Sequence, residues 1–236
     1  MVTDDVVNGL RLRRRLPARH SGQVSDATVY ADRVANLGQV WQVWARLGLG
    51  FRQQQWSTPT RCPGWDLAAL YAHHSRFPLA LTALPAAAPK SGGEVLTAVE
   101  ILRRFNAPGG AASRLAGAVA EQAVTDARQH DHAELVDRFG VQAPRAIEAL
   151  RAAQPHLAVP WPAADGYVRL VEALRIALLE ATVHLLDVYH ALGRPPAVPE
   201  PALFGTAALL AEVAPAVELI EAATGRVTSS PLPVVR

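Results

Sequence analysis

The sequence predicts an all-α fold, most simply an up-down four-helix bundle with additional helices. Apolar residues recur at three- and four-residue spacings along most of the chain, which is the period of amphipathic helices. Clusters of proline and glycine separate these stretches, and no convincing strand alternation occurs before the short Pro/Val-rich end. With 236 residues and 50% hydrophobic content, the chain can bury one full core.

The first two helices follow from apolar stripes and from the residues that begin and end them. A helix over about 25–47 carries one stripe at steps of four, three, four and three, formed by Tyr30, Val34, Leu37, Trp41 and Trp44. A loop with several prolines leads to a second helix over about 66–84, for which Asp66 is the expected N-cap. The Pro/Ala/Gly run over 85–93 ends this helix.

Five further helices are expected in the rest of the chain, over about 94–106, 111–128, 131–153, 165–192 and 200–223. Asp131 and Glu134 fit a capping box at the start of the third of these, and Pro144 should kink or restart it. A proline-rich loop around Trp161 precedes the fourth, which ends at Gly193.

The helix expected over 165–192 carries three polar side chains on one side. Glu180 and His184 are one turn apart and Asp187 follows three residues later, so the three lie within about 60° of arc. Apolar residues cover most of the remaining surface, which predicts a buried helix in which an uncompensated carboxylate is costly. The helix contains no Lys or Arg beyond position 175, so the compensating charge comes from another helix, a proton or a metal ion.

The second helix supplies a partner for this group. Leu70, His73 and Phe77 recur at helical spacing on its apolar stripe, so His73 is expected to face inward. If His73 faces Glu180 and His184 across the core, the three form a two-histidine, one-carboxylate metal site with positions open for water or a substrate atom. Taken singly, His73 could be a hydrogen-bonded core residue, and Glu180 with His184 a polar helix pair.

Side chains near this site have a functional and a structural interpretation. Asp187 either accepts a hydrogen bond from a ligand imidazole or forms a salt bridge on the helix face. Trp65 and Arg76 are expected to line the cavity, although in a bundle without metal Arg76 would pair with Glu180 instead. His74 is expected at the surface or between helices.

Three short patches resemble a known family. They are Pro63-Gly64-Trp65 with His73 eight residues after the tryptophan, Glu180-x3-His184-x2-Asp187 followed by Ala191 and Gly193, and Thr224-Gly225-Arg226. Over about 25–226 the chain thereby resembles the mycothiol-dependent maleylpyruvate isomerases, within the wider group of DinB-like metal-binding bundles.

The resemblance implies a DinB-like bundle in which His73, Glu180 and His184 hold a divalent metal ion, with zinc as the first choice. Mycothiol is the implied cosubstrate, and the implied activity is that of an isomerase or a thiol S-transferase acting on a small electrophile. A function of a different class stays open, namely a non-catalytic bundle that binds a metal or a small ligand in a regulatory role.

The composition argues against some classes of binding partner. The net charge is +2, and five of the 23 basic but only two of the 21 acidic residues fall within the first 20 positions. Residues 1–22 are therefore expected to be a disordered Arg-rich tail and 23–236 a single domain close to neutral, which argues against nucleic-acid binding. No apolar run is long enough for a membrane span or a secretory signal, so we expect a cytoplasmic protein. A monomer and a homodimer are both compatible with the sequence.

Cysteine and arginine usage add two smaller expectations. The single Cys62 cannot form an internal disulfide, which agrees with a reducing compartment. We interpret it as a small loop residue packed beside Pro63 and Trp65, with a reactive thiol near the metal as the alternative. One lysine against 22 arginines reflects genomic base composition and fits an actinobacterial source.

Overall fold

The computed structural model describes residues 25–86, 93–161, 166–227 and 232–235, so the Arg-rich tail predicted over 1–22 lies outside the described residues. The helices are α1 Asp26–Leu49, α2 Leu67–Ala83, α3 Ala98–Asn106, α4 Ala111–Gln129, α5 His132–Asp137, α6 Ala143–Ala152, α7 Leu170–Ala191, α8 Glu200–Val213 and α9 Ala216–Ala223. The strands are β1 Val95–Leu96, β2 Ala158–Trp161 and β3 Gly166–Arg169.

A ring of packed helices forms the centre of the molecule, and the predicted all-α fold is confirmed. Going round this ring, α1 packs on α7, α7 on α2, α2 on α6, and α6 on α1. Helix α4 also packs against α2, whereas α3 and α8 contact α7. The two motifs that the sequence predicted on α2 and α7 therefore lie on neighbouring helices.

Specific hydrogen bonds fix the start of α2 and the position of α7. Oδ1 of Asp66 accepts a hydrogen bond from the backbone N–H of Ala69 at 2.9 Å, which confirms Asp66 as the N-cap of α2. Such a cap contributes about 1 kcal/mol to helix stability. The indole N–H of Trp44 in α1 donates to the carbonyl of Ala181 in α7 at 3.1 Å, so α7 is tied to the core on the side facing α1.

A small sheet lies where the sequence predicted a helix start and a loop. Strand β3 is central, with β1 parallel to it on one side and β2 antiparallel to it on the other. The expectation of no strands before the C-terminal end was wrong, as was the helix start at 165, because α7 begins at Leu170. Strands of two to four residues are too short to show alternation, and Pro160 is compatible with β2 because β2 is an edge strand.

Prolines interrupt the helical backbone in two places. The interruption expected at Pro144 takes the form of a π-helical turn over Arg138–Gln142, and the chain stays helical from α5 through α6. The single helix predicted over 200–223 was wrong, because α8 and α9 meet at a bend of 120° before Pro215, which has no N–H to continue α8. Among the described residues, no single helix has the length and apolar composition of a membrane span, and α8 and α9 reach them only when taken together across that bend.

Candidate metal centre

His73 of α2 meets Glu180 and His184 of α7 in the space between the two helices. One ligand-capable atom of each side chain lies within 4.8 Å of those of the other two. The imidazole rings of His73 and His184 are 5.2 Å apart between centroids and stand at 84° to each other. The structure therefore brings together the three residues that the sequence indicated as ligands.

The cluster borders solvent rather than the middle of the core. The exposed fraction of the side chain is 16% for His184 and 30% for Glu180, whereas most residues on the other sides of α7 are buried. The sequence predicted a helix buried nearly all round, and the face that carries the cluster departs from this prediction. A partly open face gives a small ligand access to the cluster.

A carboxylate on each side holds the imidazole of His184. Nδ1 lies 3.1 Å from Oδ2 of Asp187, and Nε2 lies 3.6 Å from Oε2 of Glu180. The hydrogen-bonding pattern assigns a proton to Nδ1, which donates to Asp187, so that Nε2 faces Glu180. This contact corresponds to one of the two alternatives that the sequence left open for Asp187, a hydrogen bond from the imidazole of His184.

The loop that precedes α2 holds Asp187 in turn. Nε and Nη2 of Arg61 both donate to Oδ1 of Asp187, at 3.1 and 2.6 Å, and Sγ of Cys62 donates to Oδ2 at 3.5 Å. The sequence did not indicate Arg61 as a partner of Asp187, and a position of Cys62 near the metal site was the alternative that we did not favour. The available signal was the lack of Lys and Arg on the motif helix beyond position 175, which required a neutralising charge from elsewhere.

Local hydrogen bonds shape this loop so that Cys62 and Trp65 face the cluster. Oγ1 of Thr60 accepts from the backbone N–H of Cys62 at 3.1 Å and donates to the carbonyl of Trp65 at 2.9 Å. Gly64 adopts φ +79°, a conformation that costs glycine little. The indole of Trp65 lies 4.9 and 6.2 Å from the two cluster imidazoles between centroids, so Trp65 covers both histidines.

Two sets of ligand-capable side chains overlap at His184, namely His73, Glu180 and His184, and Cys62, His184 and Asp187. The sets differ in how their carboxylate is neutralised. Asp187 already has Arg61 as an ion-pair partner, whereas Glu180 has no Lys or Arg partner in the part of the chain that the structure describes. Electrostatics therefore favours a cation at the set that contains Glu180.

The protonation states of the cluster follow from burial and from neighbouring charges. Burial, reinforced by repulsion from His184, lowers the pKa of His73 to about 4, so this imidazole is neutral at pH 7. Burial opposes charge on Glu180 and Asp187 as well, but hydrogen bonds and opposite charges outweigh it and hold both pKa values below their ordinary range. Burial alone would lower the pKa of His184, yet hydrogen bonds with Asp187, Cys62 and Glu180 raise it well above its ordinary value.

A groove of about 490 Å³ opens between the loop over 59–66 and α4. Cys62 and Trp65 line it from the loop, and Val124 and Arg128 line it from α4. His73, Glu180 and His184 are not part of the lining of this groove. Cys62 and Trp65 therefore connect the cluster with a space large enough for a small molecule.

Two neighbouring side chains have surroundings that the sequence did not indicate. Arg76, which we expected to line the cavity, lies outside the groove lining, and its Nε is 3.7 Å from Oδ2 of Asp126 on α4. The pair of Arg76 with Glu180 that a metal-free bundle would need is absent from the described residues. His74 is fully buried, and its ring lies 4.7 Å from that of Trp44 between centroids, so the surface alternative was wrong.

Fold and site together define a class, a DinB-like helical bundle with a metal-capable cluster of two histidines and one glutamate between neighbouring helices. The family model of the mycothiol maleylpyruvate isomerase N-terminal domain matches residues 37–189. The chain belongs to this family, as the resemblance predicted. The matched stretch contains the whole cluster and ends before α8. No curated protein and no solved structure matches the chain.

Proposed function

We propose that the protein is a divalent-metal-dependent enzyme that activates a low-molecular-weight thiol for addition to a small electrophile. The observation that carries the proposal is the convergence of His73, Glu180 and His184 between α2 and α7. Membership of a family named for mycothiol maleylpyruvate isomerase supports mycothiol as the thiol and an isomerase or S-transferase as the reaction class.

The three side chains fit a divalent cation. Two imidazoles and one carboxylate are a common ligand set of catalytic zinc sites, which leave a further position open, so zinc is our first choice of metal. His73 is neutral and offers a nitrogen lone pair, and Nε2 of His184 offers another once its proton is displaced. Glu180 contributes a negative charge that no described Lys or Arg neutralises.

A divalent ion held there would supply Lewis acidity that lowers the pKa of a thiol from its ordinary value of about 8.5 and so yields a nucleophile at neutral pH. The surrounding side chains of the protein have positioning roles. Asp187, held by Arg61, orients the imidazole of His184, and Trp65 shields one side of the cluster from water. The groove beside Cys62 offers room for the electrophile.

Two reactions begin with the same addition of the thiol sulfur to a conjugated double bond. In an isomerase, the new C–S bond allows rotation about the former double bond and then breaks, so that the thiol is returned unchanged. In a transferase, the adjacent carbon takes up the proton that the thiol gave up, and the adduct is the product. Net consumption of thiol therefore distinguishes the two reactions.

His184→Ala tests the proposal, with His190→Ala as the matched control because His190 lies on the same helix but is exposed. We expect elemental analysis to find one zinc per chain in the wild type and in His190→Ala. In His184→Ala the zinc affinity should fall by more than about 100-fold. With mycothiol and a panel of small electrophiles, only the two zinc-binding proteins should turn over.

Full zinc occupancy in His184→Ala would refute the proposed site. A different outcome would favour the alternative function: zinc and ligand binding in the wild type, combined with no turnover of any electrophile in the panel, would indicate a non-catalytic bundle with a regulatory role.

A further inference from the structure

We propose that Arg61 determines which of the two overlapping ligand sets holds a metal ion. By pairing with Asp187, Arg61 reserves that carboxylate for the hydrogen bond to His184 and leaves the site with Glu180 as the one that takes the cation. This inference rests on the proposed function for the identity of the preferred site. It assigns a positioning role to a residue that contacts neither the proposed metal nor a substrate.

The second set has the geometry of a metal site. Sγ of Cys62 and Nδ1 of His184 lie 3.5 and 3.1 Å from Oδ2 of Asp187. One ligand-capable atom of each residue lies within 4.8 Å of those of the other two. A thiolate, an imidazole and a carboxylate are suitable ligands for zinc and for cobalt(II). Distance alone therefore does not prevent this set from competing for a cation.

Arg61 prevents the competition through charge and through hydrogen bonding. Its Nε and Nη2 both donate to Oδ1 of Asp187, so the guanidinium already supplies the positive charge that a cation would supply. A cation between Cys62 and Asp187 would also be repelled by this guanidinium. With Asp187 fixed as an acceptor, Nδ1 of His184 keeps its proton and has no lone pair to offer.

Arg61→Gln removes the charge and leaves the protein core intact, because the side chain of Arg61 is 49% exposed. The freed Asp187 then attracts a cation toward Cys62, whose thiol proton passes to the buffer as the sulfur becomes a ligand. We expect the zinc affinity of the original site to fall by about 10–100-fold, the usual effect of losing a residue that orients a ligand.

Cobalt(II), added to the full chain without any thiol, gives a direct measurement. A sulfur ligand produces a near-ultraviolet charge-transfer band that nitrogen and oxygen ligands do not produce. We expect bound cobalt without this band in the wild type and in Arg61→Lys, which keeps the charge. The band should appear in Arg61→Gln and disappear again in the double variant Arg61→Gln with Cys62→Ser.

Arg76→Gln is the matched control, because Arg76 pairs with Asp126 on α4 and should leave the cobalt spectrum of the wild type unchanged. Arg61→Met provides a second charge-free variant if Arg61→Gln fails to fold, as judged by circular dichroism. A charge-transfer band already present in the wild type would overturn the inference. So would an Arg61→Gln protein with the spectrum and zinc affinity of the wild type.

The same spectra separate this inference from the proposed function. If the wild type binds no cobalt and Arg61→Gln binds it through Cys62, the exclusion of a cation from the Cys62 set by Arg61 stands and the proposed site at Glu180 fails. If zinc-loaded wild type is active and Arg61→Gln is spectroscopically unchanged, the proposed function stands and the role of Arg61 fails. Absence of cobalt from both proteins overturns both.

Discussion

Replacement of Asp187 by asparagine removes one negative charge from the cluster with little change in shape. Asp187 is 7% exposed, and its Oδ1 accepts two hydrogen bonds from Arg61. Its Oδ2 accepts one from His184 at 3.1 Å and a longer one from Cys62 at 3.5 Å. An asparagine side chain has one acceptor oxygen and one amide group that donates, so it can accept from Arg61 or from His184 but not from both. Either orientation leaves Arg61 or His184 facing the amide group, which is itself a donor.

The size of the effect follows from these contacts. Loss of the acceptor that orients a ligand imidazole lowers metal affinity by about 10–100-fold, which corresponds to about 1.4–2.8 kcal/mol. A hydrogen bond to a charged group contributes about 1.5–3 kcal/mol when buried, and we reduce this to about 1–2 kcal/mol because Arg61 is half exposed. We therefore expect both a weaker zinc site and a lower free energy of unfolding of the metal-free protein.

Competition for zinc with a chromophoric chelator at constant pH measures the affinity, and urea unfolding measures the stability. Asp126→Asn is the matched control, because Asp126 is 8% exposed and pairs with Arg76, yet it lies outside both ligand sets. It should lower stability by a similar amount but change the zinc affinity by less than about twofold. Equal zinc affinities in Asp187→Asn and the wild type, or equal losses of zinc affinity in the two variants, would refute an orienting role of Asp187.

Two further predictions concern the bundle itself. Gly48→Ala should destabilise the protein by about 1–3 kcal/mol in urea unfolding, because the added methyl group would lie 2.7 Å from Cγ2 of Val136 and closer still to the hydroxyl of Tyr71. Gly117→Ala on α4 has open space around it and should instead stabilise by about 0.5–1 kcal/mol, so equal effects would contradict the packing argument. Burial raises the pKa of Tyr30 to about 12, so between pH 10 and pH 12 the folded protein keeps a proton that the unfolded chain loses, and stability falls as pH rises through this window. Tyr30→Phe should reduce that fall by up to about 1.4 kcal/mol per pH unit in urea unfolding, and parallel curves for the two proteins would count against it.

Long helices could be predicted from the sequence because their period repeats over many residues. The stripe from Tyr30 to Trp44 is buried in α1 as expected. Strands β1 to β3 could not be predicted, because each has at most four residues and the pairing of Val95 with Tyr167 joins distant segments. The break before Pro215 could have been predicted, because proline has no N–H to continue a helix. The apolar residues on both sides of Pro215 suggested one continuous helix instead.

In the candidate site as well, features that lie on one helix could be predicted from the sequence, whereas contacts between distant segments mostly could not. Glu180, His184 and Asp187 could be predicted to share a face, since one helix carries all three. His73 could be proposed as their partner through its apolar stripe and the family resemblance. The contact of Arg61 with Asp187 could not be predicted, because the two residues are 126 positions apart in the sequence. In addition, Arg61 lies in an irregular loop, which has no period from which the direction of its side chain could be predicted.

The division of the cluster between two helices has a consequence for ion discrimination. Glu180, His184 and Asp187 all project from α7, so their mutual spacing is fixed by the backbone hydrogen bonds of that helix, whereas His73 comes from α2. In the proposed metal site, the gap between α2 and α7 is therefore the dimension that would adapt to cations of different radius. Substitutions at the interface of these helices should alter the preference among ions while every ligand stays in place.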